Sequence, residues 1–309
     1  MDEASSELEK VNSTMTIDAL PVVPQQAPPP APQDVRHGRA LIGWMKPAQA
    51  HELLQRNMDP AQAAEAIERA RQAVAARNAG VGQDTIITSV PAGLAAHVSS
   101  LESSPAAKPM HDEGWKVALV DLSKVYAFQP SVVSDQSISR VQAVDEAELA
   151  SIAAVTLPLT QGDSLPVQYD PIRMAWTVSS PNPNLRIVGN VGPLPVSPVG
   201  AALGFAVVAG PSFMQVGRYR GRHYLRDGYH RAIGFLSRGI TIVPAFVRDI
   251  SVFEELVPDP RTMLPQDSYL GERPPVLPDY IDDTVSATVQ IPAVRKMIVV
   301  HALELTPIG

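Results

Sequence analysis

Residues 213–248 read FMQVGRYRGRHYLRDGYHRAIGFLSRGITIVPAFVR, and the local pattern of this stretch decides the fold. RHYLR at 222–226 alternates and contains Tyr and Leu, which suits a strand, and Asp227-Gly228 then turns the chain sharply. From Tyr229 to Ser237 the apolar residues Ala232, Ile233, Phe235 and Leu236 describe a helix of about two to three turns, closed by Gly239 at its C′ position. TIVPAFV at 241–247 is a β-branched strand. Strand, turn, helix and strand within about 27 residues are too long for a hairpin and natural for a crossover.

A helix that opens directly after an Asp-Gly turn presents unpaired amides and a positive dipole end. Gly228 supplies positive φ or lets a ligand approach the backbone closely. His230 and Arg231 fall in the first turn; Arg231 offers bidentate contacts to phosphate oxygens and His230 a further hydrogen bond. Asp227 is expected to cap the helix or to hold Arg226 or Arg231 in place. The expectation is a phosphate-sized anion site formed by Asp227, Gly228, Tyr229, His230 and Arg231, with Arg226 and Arg222 beside it.

Charge supports this placement. Between Phe213 and Arg238 six arginines face one acid, Asp227, so the segment carries +5 within a chain of net charge −7. Arg218, Arg220 and Arg222 alternate along what reads as an extended stretch, which would make one face of a strand continuously basic. That row suits either phosphate contacts, nucleic acid included, or a solvated edge strand kept from aggregating by charge.

YLRDGYHRAIGFLSRGITIVPAFV resembles the signature of the ParB-like/sulfiredoxin superfamily: a strand, a G-x-[HR]-R turn at a helix start, the helix, and a strand beginning near "vP". The motif here is Gly228-Tyr229-His230-Arg231, and WKVALVDLSKVYAFQP (115–130) is similar in style to that fold's opening strand. The resemblance covers about 35 residues well, is vague over 115–150 and is absent from the first 100. It implies a nucleotide-phosphate cradle made by the main chain and Arg231, with ATP or CTP and Mg²⁺ as cofactors. Sulfiredoxins carry a cysteine within the motif; Tyr229 stands there, which excludes sulfinic-acid repair. ParB partition factors continue into a helix-turn-helix region, whereas residues 250–309 hold prolines at 258, 260, 265, 274, 275, 278, 292 and 307. Kinases on this fold use an acid near the exit of the first strand, for which Asp121, or otherwise Gln129, is the weak candidate.

Outward from this core, the chain has 309 residues, 45% hydrophobic and 18% charged, with no apolar run of the roughly 20 residues that span a bilayer. The absence of cysteine excludes disulfides, thiolate catalysis, Cys-ligated zinc and iron–sulfur clusters. The acidic start MDEASSELEK does not read as a targeting peptide, so the cytoplasm is the expected location. Proline is in excess, 30 in all, nearly twice the roughly 5% average. Residues 1–38 read as a disordered proline-rich leader around PVVPQQAPPPAP, a semi-rigid spacer or a docking peptide for a proline-reading module.

Residues 47–78 suggest a helical hairpin, its second helix starting at Asp59-Pro60 and burying Ala63, Ala64, Ile67, Ala70 and Val74. Residues 99–114 read as a loop, WKVALVDL as a strand whose Val117 and Leu119 share a face, 145–153 as a short helix, and 154–212 as short antiparallel strands punctuated by proline. No Walker-type, G-x-S-x-G or H-E-x-x-H motif occurs. His223, Asp227 and His230 match no standard metal spacing, so no metal ligands are assigned. Asp279, Asp282 and Asp283 read as an exposed polar turn or, beside a nucleotide, as Mg²⁺ ligands.

The expected fold is α+β: a mixed sheet with a ParB/sulfiredoxin-like core over 112–309, preceded by a helical hairpin and linker (39–111) and the leader (1–38). The expected function is binding of a nucleotide or other phosphorylated small molecule at Gly228–Arg231. Any chemistry would be that of a nucleotide-dependent phosphotransferase or NTPase. The alternatives are a non-catalytic interaction or regulatory module with a vestigial phosphate pocket, and a nucleic-acid-contacting ParB-like protein. No membrane partner is expected.

Overall fold

A computed structural model of the chain describes residues 35–79, 86–159, 165–172, 174–180, 185–196, 200–257, 259–292 and 296–301. In chain order it begins with β1 (Val35–Ala40), α1 (Pro47–Leu54), α2 (Pro60–Ala75), β2 (Ile87–Thr88), α3 (Ala95–Glu102), α4 (Lys108–Asp112) and β3 (Lys116–Asp121). There follow β4 (Ser131–Val133), α5 (Ser134–Val141), α6 (Leu149–Thr156), β5 (Val167–Asp170), β6 (Ala175–Ser180), β7 (Leu185–Val196) and β8 (Gly200–Ala209). The last part holds β9 (Gln215–Tyr219), β10 (Arg222–Asp227), α7 (Tyr229–Ser237), β11 (Ile242–Asp249), α8 (Phe253–Leu256), α9 (Gln266–Leu270), β12 (Ala287–Pro292) and β13 (Lys296–His301). The architecture is mixed α+β, as the sequence led one to expect, but its strands form several sheets and not one.

The central sheet has the order β10-β9-β11-β3-β2. β9 and β10 form a hairpin whose turn residues, Arg220 and Gly221, have φ of 50° and 78°, the doubly left-handed geometry that matches strand twist. β11 lies parallel to β9 and antiparallel to β3. The crossover therefore leaves from β9 and runs through β10 and α7; β10 itself is antiparallel and stands at the sheet's end. This corrects the expectation that β10 and β11 are the crossover pair. It also breaks the expected basic row, because Arg218 and Arg222 belong to different strands with Arg220 in the turn between them.

α7 is buried on nearly all sides: Tyr229 and every residue from Arg231 to Leu236 are out of solvent. A short helix with so little polar surface is held by tertiary packing and not by propensity. It lies against α5. Gly234 faces the Ser137 carbonyl and Val141, and further along Arg238 donates to the carbonyls of Val141 and Val144. The two helices thus run side by side in the same direction, with their N-termini at one end.

A second sheet, β12-β1-β4, joins the first described strand to one near the C-terminal end; β1 pairs with β12 from Val35↔Pro292 to Ala40↔Ala287. Arg39 reinforces it by donating to the Tyr280 carbonyl at 2.7 Å and to Asp283 at 2.6 Å. The expected boundary near residue 112 is therefore not a structural one, since residues 35–111 share a continuous core with the rest. Residues 35–38 of the expected leader are β1; its remainder, 1–34, lies outside the described residues.

α2 starts as its sequence demands. The Asp59 carboxylate accepts from the Ala61 amide at 2.9 Å, Pro60 opens the helix, and Ala63, Ile67 and Ala70 are buried, although Ala64 is exposed. Other boundaries move. The expected loop at 99–114 contains the end of α3 and all of α4, and the helix expected at 145–153 spans 149–156. In β3 the fully buried residue is Val120, with Val117 and Leu119 only half-covered. The antiparallel strands expected over 154–212 form the sheet β13-β6-β5 and the β7–β8 hairpin, which share a small core of Val178, Leu185 and Ala209. Trp176 and Tyr169 there stand half-exposed with ring centroids 4.9 Å apart. No helix among the described residues is long and apolar enough to cross a membrane.

Candidate functional site

The start of α7 is built by Gly228, whose φ of 106° reverses the chain between β10 and the helix. A side chain there would be strained and would also press on Met214, whose Cγ lies 3.1 Å from the Cβ position. The helix end has no side-chain cap and no acidic residue in its first turn. The amides of Tyr229, His230 and Arg231 meet no acceptor among the described residues, the first satisfied amide being that of Ala232, which donates to the Gly228 carbonyl at 2.9 Å. Asp227, expected as cap or clamp, does not cap the helix and engages Arg231 at long range and through Ser212. Its carboxylate accepts from the Ser212 hydroxyl at 3.0 Å and comes only within 4.0 Å of Arg231. Uncapped amides at a helix N-terminus are the most direct demand for negative charge that a backbone makes.

His230 adds to this demand. Its Nε2 is buried and has no hydrogen-bond partner. Burial pushes the imidazole pKa down to about 4, and the charges of Arg140, Arg231 and Arg36 push the same way. Arg140 lies at the end of α5 and Arg36 on β1, and neither has an ion-pair partner among the described residues. Three elements therefore bring positive charge to one histidine.

No family model matches this chain. No curated protein and no solved structure is significantly similar to it. The site must therefore be understood from its own geometry.

Arg231 is at the site, but turned inward. It is 4% exposed, and its Nη1 donates to the carbonyls of Val155 at 3.1 Å, Thr156 at 3.4 Å and Ser212. Its Nη2 donates to the Ser212 hydroxyl at 2.9 Å, while Nε has no acceptor. Burial lowers its pKa to about 10, so it remains a cation at neutral pH. The guanidinium thus ties the last turn of α6 to the segment entering β9, closing off the C-terminal carbonyls of α6.

The remaining candidates are occupied by packing. The Tyr229 hydroxyl accepts from the Phe128 amide at 3.0 Å, and its ring meets Phe128 and Tyr280 edge-on. Burial raises its pKa, so Tyr229 is a core phenol. Arg226 donates to the Glu255 carbonyl at 2.8 Å and lies over the Trp115 ring at 5.7 Å. Arg222 donates to the carbonyls of Leu270 and Gly271 at 3.1 and 2.7 Å. Asp121 accepts from the amide and hydroxyl of Ser123 at 3.1 and 2.6 Å, capping the turn after β3, with Lys124 at 3.3 Å.

In the acidic stretch, Asp279 is buried against Arg77 at 2.7 Å and also accepts from the Val276 amide at 2.8 Å. Burial raises its pKa. Among the described residues no three His, Asp or Glu side chains converge as a metal site. The hollows lined by Arg39 and Asp283, by Lys46 and Gly271, and by Trp44 and Arg273 contain none of residues 222–231.

Sequence reasoning missed Ser212, Arg140 and Arg36. Each reaches the site from an element distant in sequence, and no local pattern marks them.

Proposed function

We propose that this chain binds a phosphorylated ligand, a nucleotide in the leading case, at the first turn of α7. The observation that carries the reading is the trio of acceptor-free amides at Tyr229–Arg231 on a helix end that lacks both a cap and an acid. His230 contributes a hydrogen bond, and Arg140 and Arg36 contribute positive potential. The similarity of Gly228-Tyr229-His230-Arg231 to the ParB-like/sulfiredoxin motif supports the same place for phosphate. Arg231 acts from beneath, holding the neighbouring segments. A cytoplasmic setting, where ATP and CTP are plentiful, goes with this reading, and Mg²⁺ would come with the nucleotide. Phosphoryl transfer would further require a carboxylate acting on the nucleophile, and Asp121 is engaged by Ser123.

The experiment is a thermal-shift and calorimetric panel of phosphate, pyrophosphate, ATP and CTP, with and without Mg²⁺. A ligand at 100 times its Kd adds about 2.7 kcal/mol of stability. Arg140→Ala, at an exposed position, and Arg36→Ala, at a half-buried one, should each weaken binding by about 5-fold. If none of the four compounds stabilises the wild type, the reading is wrong.

A second reading, a non-catalytic interaction module, is favoured by the state of the arginines. Arg218 pairs with Asp249, Arg238 with Glu146, and Arg222, Arg226 and Arg231 serve internal carbonyls. A chain that engages most of its basic segment internally has less to offer an external polyanion.

A further inference from the structure

Arg231 is a buried cation whose partners do not match its charge. A guanidinium removed from water is best compensated by a carboxylate or phosphate in bidentate contact. Here the nearest carboxylate oxygen, on Asp227, is 4.0 Å away, the hydrogen-bond acceptors are three neutral carbonyls and a hydroxyl, and Nε has none. All four acceptors come from two short segments, the last turn of α6 and the stretch leading into β9.

These segments are stitched together and laid against the helix start. The Met214 amide donates to the Thr156 carbonyl at 2.8 Å. The Ser212 hydroxyl bridges Asp227 at 3.0 Å and Arg231 at 2.9 Å. The Met214 side chain closes over Gly228, where no Cβ intervenes. Ser212 is therefore a single residue through which one segment holds both charged groups that flank the α7 N-terminus.

Resting on the phosphate-binding reading above, we propose that Ser212–Met214 is an autoinhibitory strap: it occupies the Arg231 guanidinium, and phosphate bound at the α7 N-terminus reaches that guanidinium only when Ser212 lets go. In the closed state a ligand meets the amides of Tyr229–Arg231 and His230. In the open state it gains a charge-assisted bond to Arg231, and the Met214–Thr156 link is lost.

Residue-resolved hydrogen exchange on the full chain, with and without saturating pyrophosphate, tests this without a mutation. The expected result is slower exchange at the amides of 229–231 together with at least 10-fold faster exchange at the Met214 amide. Ser212→Ala should bind pyrophosphate more tightly than wild type, by about 5- to 10-fold. Protection at 229–231 with the Met214 amide unchanged or slowed would overturn the strap and leave the binding site standing. No change at either place would overturn the strap and the phosphate reading together. If Ser212→Ala proves too unstable to assay, the wild-type exchange pattern decides alone.

Discussion

Gly234 of α7 lies directly against the main-chain carbonyl of Ser137 on α5, so that a Cβ at this position would overlap the oxygen and crowd the Val141 side chain. The contact fixes how closely two parallel helices pack, and with it the relative position of their N-terminal ends. Gly234→Ala should destabilise the protein by about 1–3 kcal/mol despite the better helix propensity of alanine, because the neighbour is backbone and cannot rotate away. Urea denaturation would read this as a lower midpoint with an unchanged slope.

Tyr229→Phe keeps the buried ring but removes the acceptor of the Phe128 amide. An orphaned buried amide costs about 1–3 kcal/mol, so a stability loss in that range is expected while phosphate binding is retained. A loss of binding larger than the loss of stability would instead give the hydroxyl a ligand role.

Protonation of His230 should weaken the fold. Its pKa is about 4 in the native state against 6.5 ordinarily, so the unfolded chain takes up a proton that the folded chain refuses. This contribution is full above pH 6.5 and is lost as pH falls toward about 4, amounting to about 3 kcal/mol. His230→Gln should flatten the stability profile in that window. An anion at the α7 N-terminus would reverse part of the shift, so sulfate, whose charge is constant there, should bind more tightly at pH 5 than at pH 8.

Two sets of arginine contacts should differ in weight. Arg218 and Asp249 form a two-pronged pair at 2.5 and 2.7 Å, but both are more than half exposed. Arg218→Gln should therefore cost about 0.2–1 kcal/mol and less at high salt. Arg226 and Arg248 both lie over the buried ring of Trp115, at 5.7 and 5.0 Å. Trp115→Ala removes that ring from the core and should cost about 3–5 kcal/mol in chemical denaturation.

Much of the local structure around the site was legible. RHYLR, Asp227-Gly228 and the spacing of Ala232, Ile233, Phe235 and Leu236 mark β10, the turn and α7 within a residue of where they stand, and Gly239 has the expected positive φ of 78°. Asp59-Pro60 likewise placed the start of α2. Where periodicity was weak, boundaries slipped: SSLESSPAAKPMHDEG has a loop's composition, yet part of it is helical in α3 and α4. Its Leu101 and Ala107 are buried in the main core, and tertiary burial outweighs composition there.

By itself the sequence determined features that depend on a few neighbouring residues: the caps, the glycine turn, the amphipathic or fully apolar character of each helix, and the concentration of arginine in one segment. Only the tertiary structure decided what those arginines do. Arg231 was positioned by the chain at a helix start, yet its acceptors come from Val155, 76 residues away, and from Ser212. The order of strands, with β11 beside β9 and β10 outside them, is likewise invisible to any local pattern. A side chain's conformation follows from adjacent backbone, whereas its partner follows from which distant segment the core brings alongside, and at this helix start that partner settles whether a cation faces a ligand or the protein itself.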